Sequence, residues 1–314
     1  MSEVTVIIPS CNTREALRAC LNSLKTTLPM SSDVIVVDNG SQDGSLRMVT
    51  AEYGHVRLIK NQRNMGFAHA INQGIERARG AYVLLLSPEM QVIGGAVRQM
   101  LAFLEHNLRY GAVAGRLLNA DGSTQCAHMR HPKLLTPLFL RTPLERWQPR
   151  SGELERYFAR DFDYDRDGDV EQPPVVGLLM RAKALKRERP LDESMGVFFH
   201  DVDLCKRLNE AGWRIGYLAG ACMLHRGTVR TRQFDEFEPE WHKNRLAYYR
   251  KHYGRAAGGW VKACVGWTVI DHSVREFWRR AHGQEDEPLS PVWHTYALFL
   301  RHLARCSAAS AVRR

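Results

Sequence analysis

The sequence predicts an α/β chain with a doubly wound, mainly parallel sheet and a helical basic C-terminal extension. Three observations carry that prediction. Short apolar runs alternate with longer amphipathic ones through Leu118, and each run is apolar at successive positions. Polar residues gather where the runs end, in PSCN, DNGSQD, KNQRNMGF and SPE. Strands filled on both faces and joined by helices belong to largely parallel sheets. Such sheets bind their ligands outside the carboxyl ends of the strands.

The elements follow in order. VTVIIPS (4–10) is the first strand, and TREALRACLNSLKTT after it has helical spacing with Thr13 as cap. DVIVVDNGS (33–41) is the second strand; DGSLRMVTAEY follows, capped by Asp43. VRLIK (56–60) leads into GFAHAINQGIERA, a helix that Gly80 is placed to end. AYVLLLS (81–87), the helical GAVRQMLAFLEHN and AVAGRLL (112–118) complete the alternation.

From Asp121 to Pro174 the periodicity fades. Pro132, Pro137, Pro143 and Pro149 interrupt regular structure, and arginines and aromatics are dense, as in a loop or mobile insertion beside a site. Order returns with VVGLLMRAKAL (175–185), an acidic helix at 201–211 and WRIGYLAGACMLH (213–225). From about Glu240 the tail is helical, aromatic and basic. The expected division is 1–120, 121–240 with the insertion 121–174, and 241–314.

Composition narrows the function class. The 314 residues are 44% apolar and 25% charged, as in an ordinary globular protein, but the net charge is +10. That charge suits an anionic partner: a phosphorylated substrate, nucleic acid or an acidic membrane surface. No nucleic-acid recognition module is visible, so a nucleic-acid partner is not expected. The seven cysteines are scattered and odd in number, which argues for reduced thiols and against a zinc site. The opening MSEVTVIIPS reads as a strand rather than a secretory signal, and no apolar run approaches the ~20 residues of a bilayer span. A cytoplasmic protein is expected, with the basic tail (245–255, 274–282 and 292–306) either lying on an anionic inner membrane face or packed as helices with a solvated basic side.

Four segments together resemble a known family. VTVIIPSCNTREALRACLNSL, IVVDNGSQDGS, NMGFAHAINQGIERARGAYVLLLSPE and FFHDVDLCKRLNEAGWRIGYLAGACMLH are similar, in that order, to glycosyltransferase family 2 with the GT-A nucleotide-sugar fold. The resemblance covers Val4 to Tyr253. The spellings VDNGS and NMGFAHAINQG lean toward the rhamnosyltransferase-like branch, which builds surface polysaccharide or lipid-linked glycans. The resemblance implies inverting transfer of a sugar, rhamnose at branch level, from a dTDP- or UDP-sugar to a glycan or lipid-linked acceptor. A divalent cation, Mg²⁺ or Mn²⁺, goes with that chemistry.

Candidate site residues follow from the strand ends and the resemblance. Asp38 ends a buried strand, where its carboxylate accepts the imide N–H of uracil or thymine with Asn39 as a further nucleotide contact, or else Asp38 and Asn39 merely make a turn with Gly40. Pro9, Ser10 and Asn12 at the neighbouring strand end would frame base or ribose; Cys11 reads as packing. Arg63 precedes a helix N-terminus that favours anions, and Gly66 would let a ligand approach closely. Asn72 is either a supporting contact or an ordinary helix residue.

SPE stands where the branch usually spells N-P-D. Glu89 is either a metal ligand, with Ser87 holding a bound water, or only the opening of the next helix. His225 corresponds to a histidine that reaches the metal or the diphosphate in relatives, with Arg226 offsetting charge beside it. Asp201, in HDVDL, matches the family's catalytic base, with an N-cap role as the alternative. Asp203 reads as structural. His200 replaces the family's usual glutamate, and with Ser87 it keeps open a rival: a domain that binds nucleotide sugar or glycan without transferring it. DYDRDGDV (163–170) imitates a calcium loop, but Pro174 stands where the bidentate glutamate is required.

Overall fold

The computed structural model describes residues 3–185, 190–196, 198–226 and 234–282. Those residues form two compact units. One holds the chain to His131, 158–196 and 200–228; the other holds 132–157, 197–199 and the chain from 229.

The first unit alternates strand and helix: β1 (Val4–Ser10), α1 (Arg14–Thr27), β2 (Asp33–Asn39), α2 (Ser45–Glu52), β3 (Arg57–Asn61), α3 (Phe67–Glu76) and β4 (Tyr82–Leu85). These four strands are parallel neighbours in the order β3-β2-β1-β4. All seven residues of β1 are buried, because helices cover both faces. Val4, Val6 and Ile8 face a cluster with Leu17, Leu21 and Leu24 of α1, whereas Ile7 faces Ala70 and Ile71 of α3. This alternation of period two is what a strand between two helical layers requires.

The sheet continues through β5 (Met90–Val92), α4 (Ala96–His106) and β6 (Tyr110–Leu118). Short helices α5 (Thr136–Phe139), α6 (Pro143–Trp147) and α7 (Gly152–Tyr157) belong to the second unit. The first unit resumes with β7 (Gly168–Asp169), β8 (Leu178–Arg181), α8 (His200–Glu210) and β9 (Arg214–His225). The main path is β3-β2-β1-β4-β8-β6-β9-β5, with β8 and β5 antiparallel to their neighbours and β7 pairing β9. Among the described residues the sheet is therefore mixed, with four parallel and four antiparallel pairings, and six of its nine strands run in one direction.

Three local expectations are corrected. SPE does not open a helix: Pro88 and Glu89 form a turn, and Met90–Val92 pairs with Met223–His225 of β9. Thr13 does not cap α1 with its side chain; its hydroxyl meets Ser10 Oγ at 2.9 Å. Asp43 serves both helices instead, accepting from Arg14 N at 2.8 Å and Ser45 N at 3.0 Å. Gly80 lies beyond the end of α3, where its N–H donates to Thr5 Oγ1 at 2.9 Å and a Cβ would meet Thr5 N at 2.6 Å.

The second unit is built on α9 (Phe234–Ala281), interrupted at Gly254, whose φ of 85° leaves the helical region. The proline-rich segment 132–157 has few regular partners for its carbonyls, and side chains of α9 supply them. Tyr249 and Tyr253 hydroxyls donate to Lys133 O and Pro132 O at 2.8 and 2.7 Å, and Trp260 Nε1 donates to Leu134 O at 2.9 Å. The aromatics of 245–255 are thus partly committed inward, with Tyr248 and Tyr249 buried. The stretch 292–306 lies outside the described residues.

Candidate active site

The site is assembled at the carboxyl edge of the sheet. Register places Ser10 beside Asp38 and Asn39 beside Asn61, so the loops after β1, β2 and β3 leave together. Asn12 ties two of them: its N–H donates to Ser41 Oγ at 3.0 Å, and its Oδ1 accepts from Gln42 N at 2.8 Å. Its φ of 51° is left-handed, a conformation asparagine tolerates.

Asp38 is 4% exposed, and its Oδ2 accepts from Ser41 N at 3.1 Å. Its Oδ1 is buried with no partner. An unpaired carboxylate oxygen is costly to bury, so this atom marks a place for a donor. Asn39 has a different task. Its amide donates to Asn64 Oδ1 and Gly66 O, both at 3.1 Å, and its oxygen accepts from Asn61 Nδ2 at 2.9 Å. Asn39 therefore shapes the loop that carries Arg63 and Gly66. Gly40 allows the approach: at φ 78°, a Cβ would stand 2.8 Å from Arg63 Cα. Arg63 is exposed, and Gly66 at φ 91° opens onto free space. Pro9 is buried in β1, so its place is the floor below these loops.

Pairing of β5 with β9 brings two separated sequence signals together. Met90 lies opposite His225, and Arg226 N donates to Glu89 O at 3.0 Å. Burial pushes the His225 pKa down, while the Glu89 carboxylate beside it acts in the opposite sense. His225 Nδ1 meets Gln125 Oε1 at 3.0 Å, and Gln125 Nε2 donates to His225 O at 3.0 Å. This reciprocal pair holds the proton on Nδ1 and leaves Nε2 with a lone pair. Gln125, in the irregular GSTQCAH, carries no sequence signal for that role. Ser87 Oγ is buried without a partner at the same turn. Arg226 is exposed.

The acidic helix reaches the edge through α3. Asn72, 2% exposed, donates to Leu191 O at 2.8 Å and accepts from Leu191 N at 3.0 Å, pinning the segment that precedes α8. The His200 ring packs on Phe67, centroids 5.2 Å apart, so α8 starts beside the start of α3. His200 is buried, and desolvation lowers its pKa. It is thereby an anchor rather than a solvent-facing group. Asp201 is half-buried; its Oδ1 accepts from Val202 N at 2.9 Å. Asp203 is fully buried and paired with Arg207 at 2.8 Å, a structural ion pair.

Other signals disperse. The carboxylates of DYDRDGDV turn to separate partners: Asp163 to Asp165 N, Asp165 to Arg116, Asp167 to Ala219 N and Asp169 to Arg214. Burial, Asp38 and Asp43 push the Cys11 thiol up, away from nucleophilic use. Among the described residues no three His, Cys, Asp or Glu side chains cluster as a metal cage.

Comparison with known proteins decides the family. The model of the family described as Glycosyl transferase family 2 matches residues 5–168, just over half the chain. The chain belongs to glycosyl transferase family 2. It is 28% identical over 267 residues to the N-acetylglucosaminyl-diphospho-decaprenol L-rhamnosyltransferase of Mycobacterium tuberculosis, covering 79% of this chain and 82% of that one. A succinoglycan biosynthesis protein, ExoO of Rhizobium meliloti, is 26% identical over 212 residues, covering 63% and 60%. Staphylococcus aureus TarS 1-349 shares the fold at a TM-score of 0.54 and 15% identity, over 87% of this chain and 91% of that one. The fold is thus GT-A, and the resemblance to the rhamnosyltransferase-like branch holds at the level of sequence.

Proposed function

We propose that this family 2 member is an inverting glycosyltransferase, moving a sugar from a nucleotide-diphospho donor to a glycan or lipid-linked acceptor in polysaccharide synthesis. The observation behind the reading is that Asp38, Arg63, Glu89 and His225 stand at or just beyond strand ends along the carboxyl edge of one sheet, with Asp201 on the helix that starts beside α3. The orphaned Asp38 Oδ1 suits the imide N–H of a uracil or thymine, with Ser10 and Asn12 beside it. Arg63 and Arg226 are exposed cations for a diphosphate. Rhamnose is the donor sugar that the Mycobacterium tuberculosis relative's name supports.

Asp201 takes the proton of the acceptor hydroxyl as that oxygen attacks the anomeric carbon, and the nucleoside diphosphate departs. A fixed cation or arginine lowers the barrier by meeting the charge that develops on the leaving diphosphate. Glu89 and the His225 Nε2 lone pair fit a divalent cation that takes its remaining ligands from phosphate and water, as Mg²⁺ commonly does. Such an ion would neutralise the leaving group. Two protein ligands do not make a self-sufficient cage, so binding is expected only with nucleotide present.

Titration of UDP and dTDP into the protein tests the donor half. Binding should weaken at least about tenfold in Asp38→Asn, the loss of a hydrogen bond to a charged group. It should also weaken in EDTA and in Glu89→Ala. Equal binding in EDTA would move the diphosphate's neutralisation to Arg63, His225 and Arg226. The same reading includes an anionic membrane surface as partner. Among the described residues no helix is long and apolar enough to cross a membrane. Ile270, Val274, Phe277 and Trp278 are exposed at helical spacing on α9, with Arg275, Arg279 and Arg280 among them.

A further inference from the structure

A cavity of about 340 Å³ lies within the sheet unit, away from the carboxyl edge. It opens against Ile215 in the first half of β9, whereas His225 is that strand's last residue. Ten residues of strand separate the two, at most roughly 33 Å. Its volume falls in the lower range of small-ligand pockets, about 300–1,000 Å³.

The walls define the chemistry. Met129, Phe162, Val170 and Ile215 give an apolar floor. Its two arginines already have carboxylate partners, Arg130 with Asp161 at 2.6 Å and Arg214 with Asp169, while Glu171 accepts from His131 N at 2.8 Å. Among the described residues of its lining, neither arginine lacks a carboxylate partner. Asn209 is fixed too, donating to Trp213 O at 3.0 Å. The His128 ring, 4% exposed, stacks on Tyr164 at 5.1 Å with Phe162 and Tyr217 edge-on, and its Nδ1 is buried without a partner. Burial holds that imidazole neutral, with its pKa down at about 4. A neutral ring nitrogen both accepts and donates according to tautomer, as a hydroxyl partner needs.

We propose that this cavity binds a neutral saccharide unit, so that the enzyme holds its glycan at a second point far from the transfer edge. An apolar floor meets the C–H face of a pyranose. Rigid, internally paired polar groups meet its hydroxyls, and the lone His128 nitrogen gains the partner it lacks. The assignment to a saccharide rests on the transferase reading, because that reading makes a glycan the molecule at hand. A binding point so far away would act on longer acceptors and leave the shortest ones unaffected.

The test uses the full chain and three probes, L-rhamnose, N-acetylglucosamine and glucose, followed by ligand-observed NMR in the millimolar range with UDP present throughout. At least one probe should bind. His128→Phe preserves the aromatic packing, and Glu171→Gln preserves the contact to His131; each should weaken binding about fivefold or more, the value of one neutral hydrogen bond. UDP affinity should stay unchanged in both. No binding by any probe, or equal binding in both variants, overturns the proposal. Nucleotide-sugar turnover is measured on the same samples. Turnover without saccharide binding removes the cavity site alone, and saccharide binding without turnover removes the transferase reading alone.

Discussion

At Asp38 a single carboxylate divides its work: one oxygen closes the turn to Ser41 while the other is buried without a donor. A strand end that needed only a turn would not bury the second oxygen, which is why the residue reads as a binding group. Asn39 beside it shows the reverse. The sequence offers it too as a nucleotide contact, but its amide is spent on the 61–66 loop. Spacing shows that a polar side chain stands at a strand end; it does not show which neighbour it faces. His128 offers a residue-scale prediction. Below pH 6.5 the unfolded chain takes up a proton that the folded ring refuses until about pH 4, so this group's contribution falls as pH drops through that window. Urea unfolding at pH 7 and pH 5 should show a loss from His128 of roughly 2 kcal/mol, absent in His128→Phe. An identical pH dependence in that variant would contradict the burial argument.

Elements differ in how legible they are. The strands β1 to β4 are visible in the sequence because covering both faces demands uninterrupted apolar runs, and their polar ends mark the functional edge. By contrast β5 is three residues long and its partner is more than a hundred residues away, so MQV carries no strand signal of its own. That missing strand is what brings Glu89 to His225. The approach of α8 is equally hidden, since it depends on Asn72 gripping the backbone of Leu191 from α3. Asn72→Ala leaves that buried N–H and carbonyl unpaired, a cost of about 2 to 3 kcal/mol. Turnover should fall more than UDP affinity, because the segment leads to Asp201 and not to Asp38. If UDP affinity fell as far as turnover, Asn72 would belong to the nucleotide side.

For the whole molecule, the net charge of +10 and the mixed apolar and basic face of 270–280 bear on where the reaction takes place. Co-sedimentation with vesicles rich in anionic lipid should show binding that weakens with salt, because exposed charges are screened over a Debye length of about 10 Å at 0.1 M. It should also weaken in a double variant, Phe277→Ser with Trp278→Ser. Binding that ignored both salt and that variant would remove the membrane from the account. The measurement that tests the central claim most directly is release of nucleoside diphosphate from UDP- and dTDP-sugars, dTDP-rhamnose among them, with a diphospho-lipid-linked N-acetylglucosamine as acceptor, in wild type and Asp201→Asn. The account predicts acceptor-dependent release that falls about 10²- to 10⁴-fold in the variant while donor affinity holds. Undiminished release in Asp201→Asn, or donor binding with no release from wild type, would contradict it.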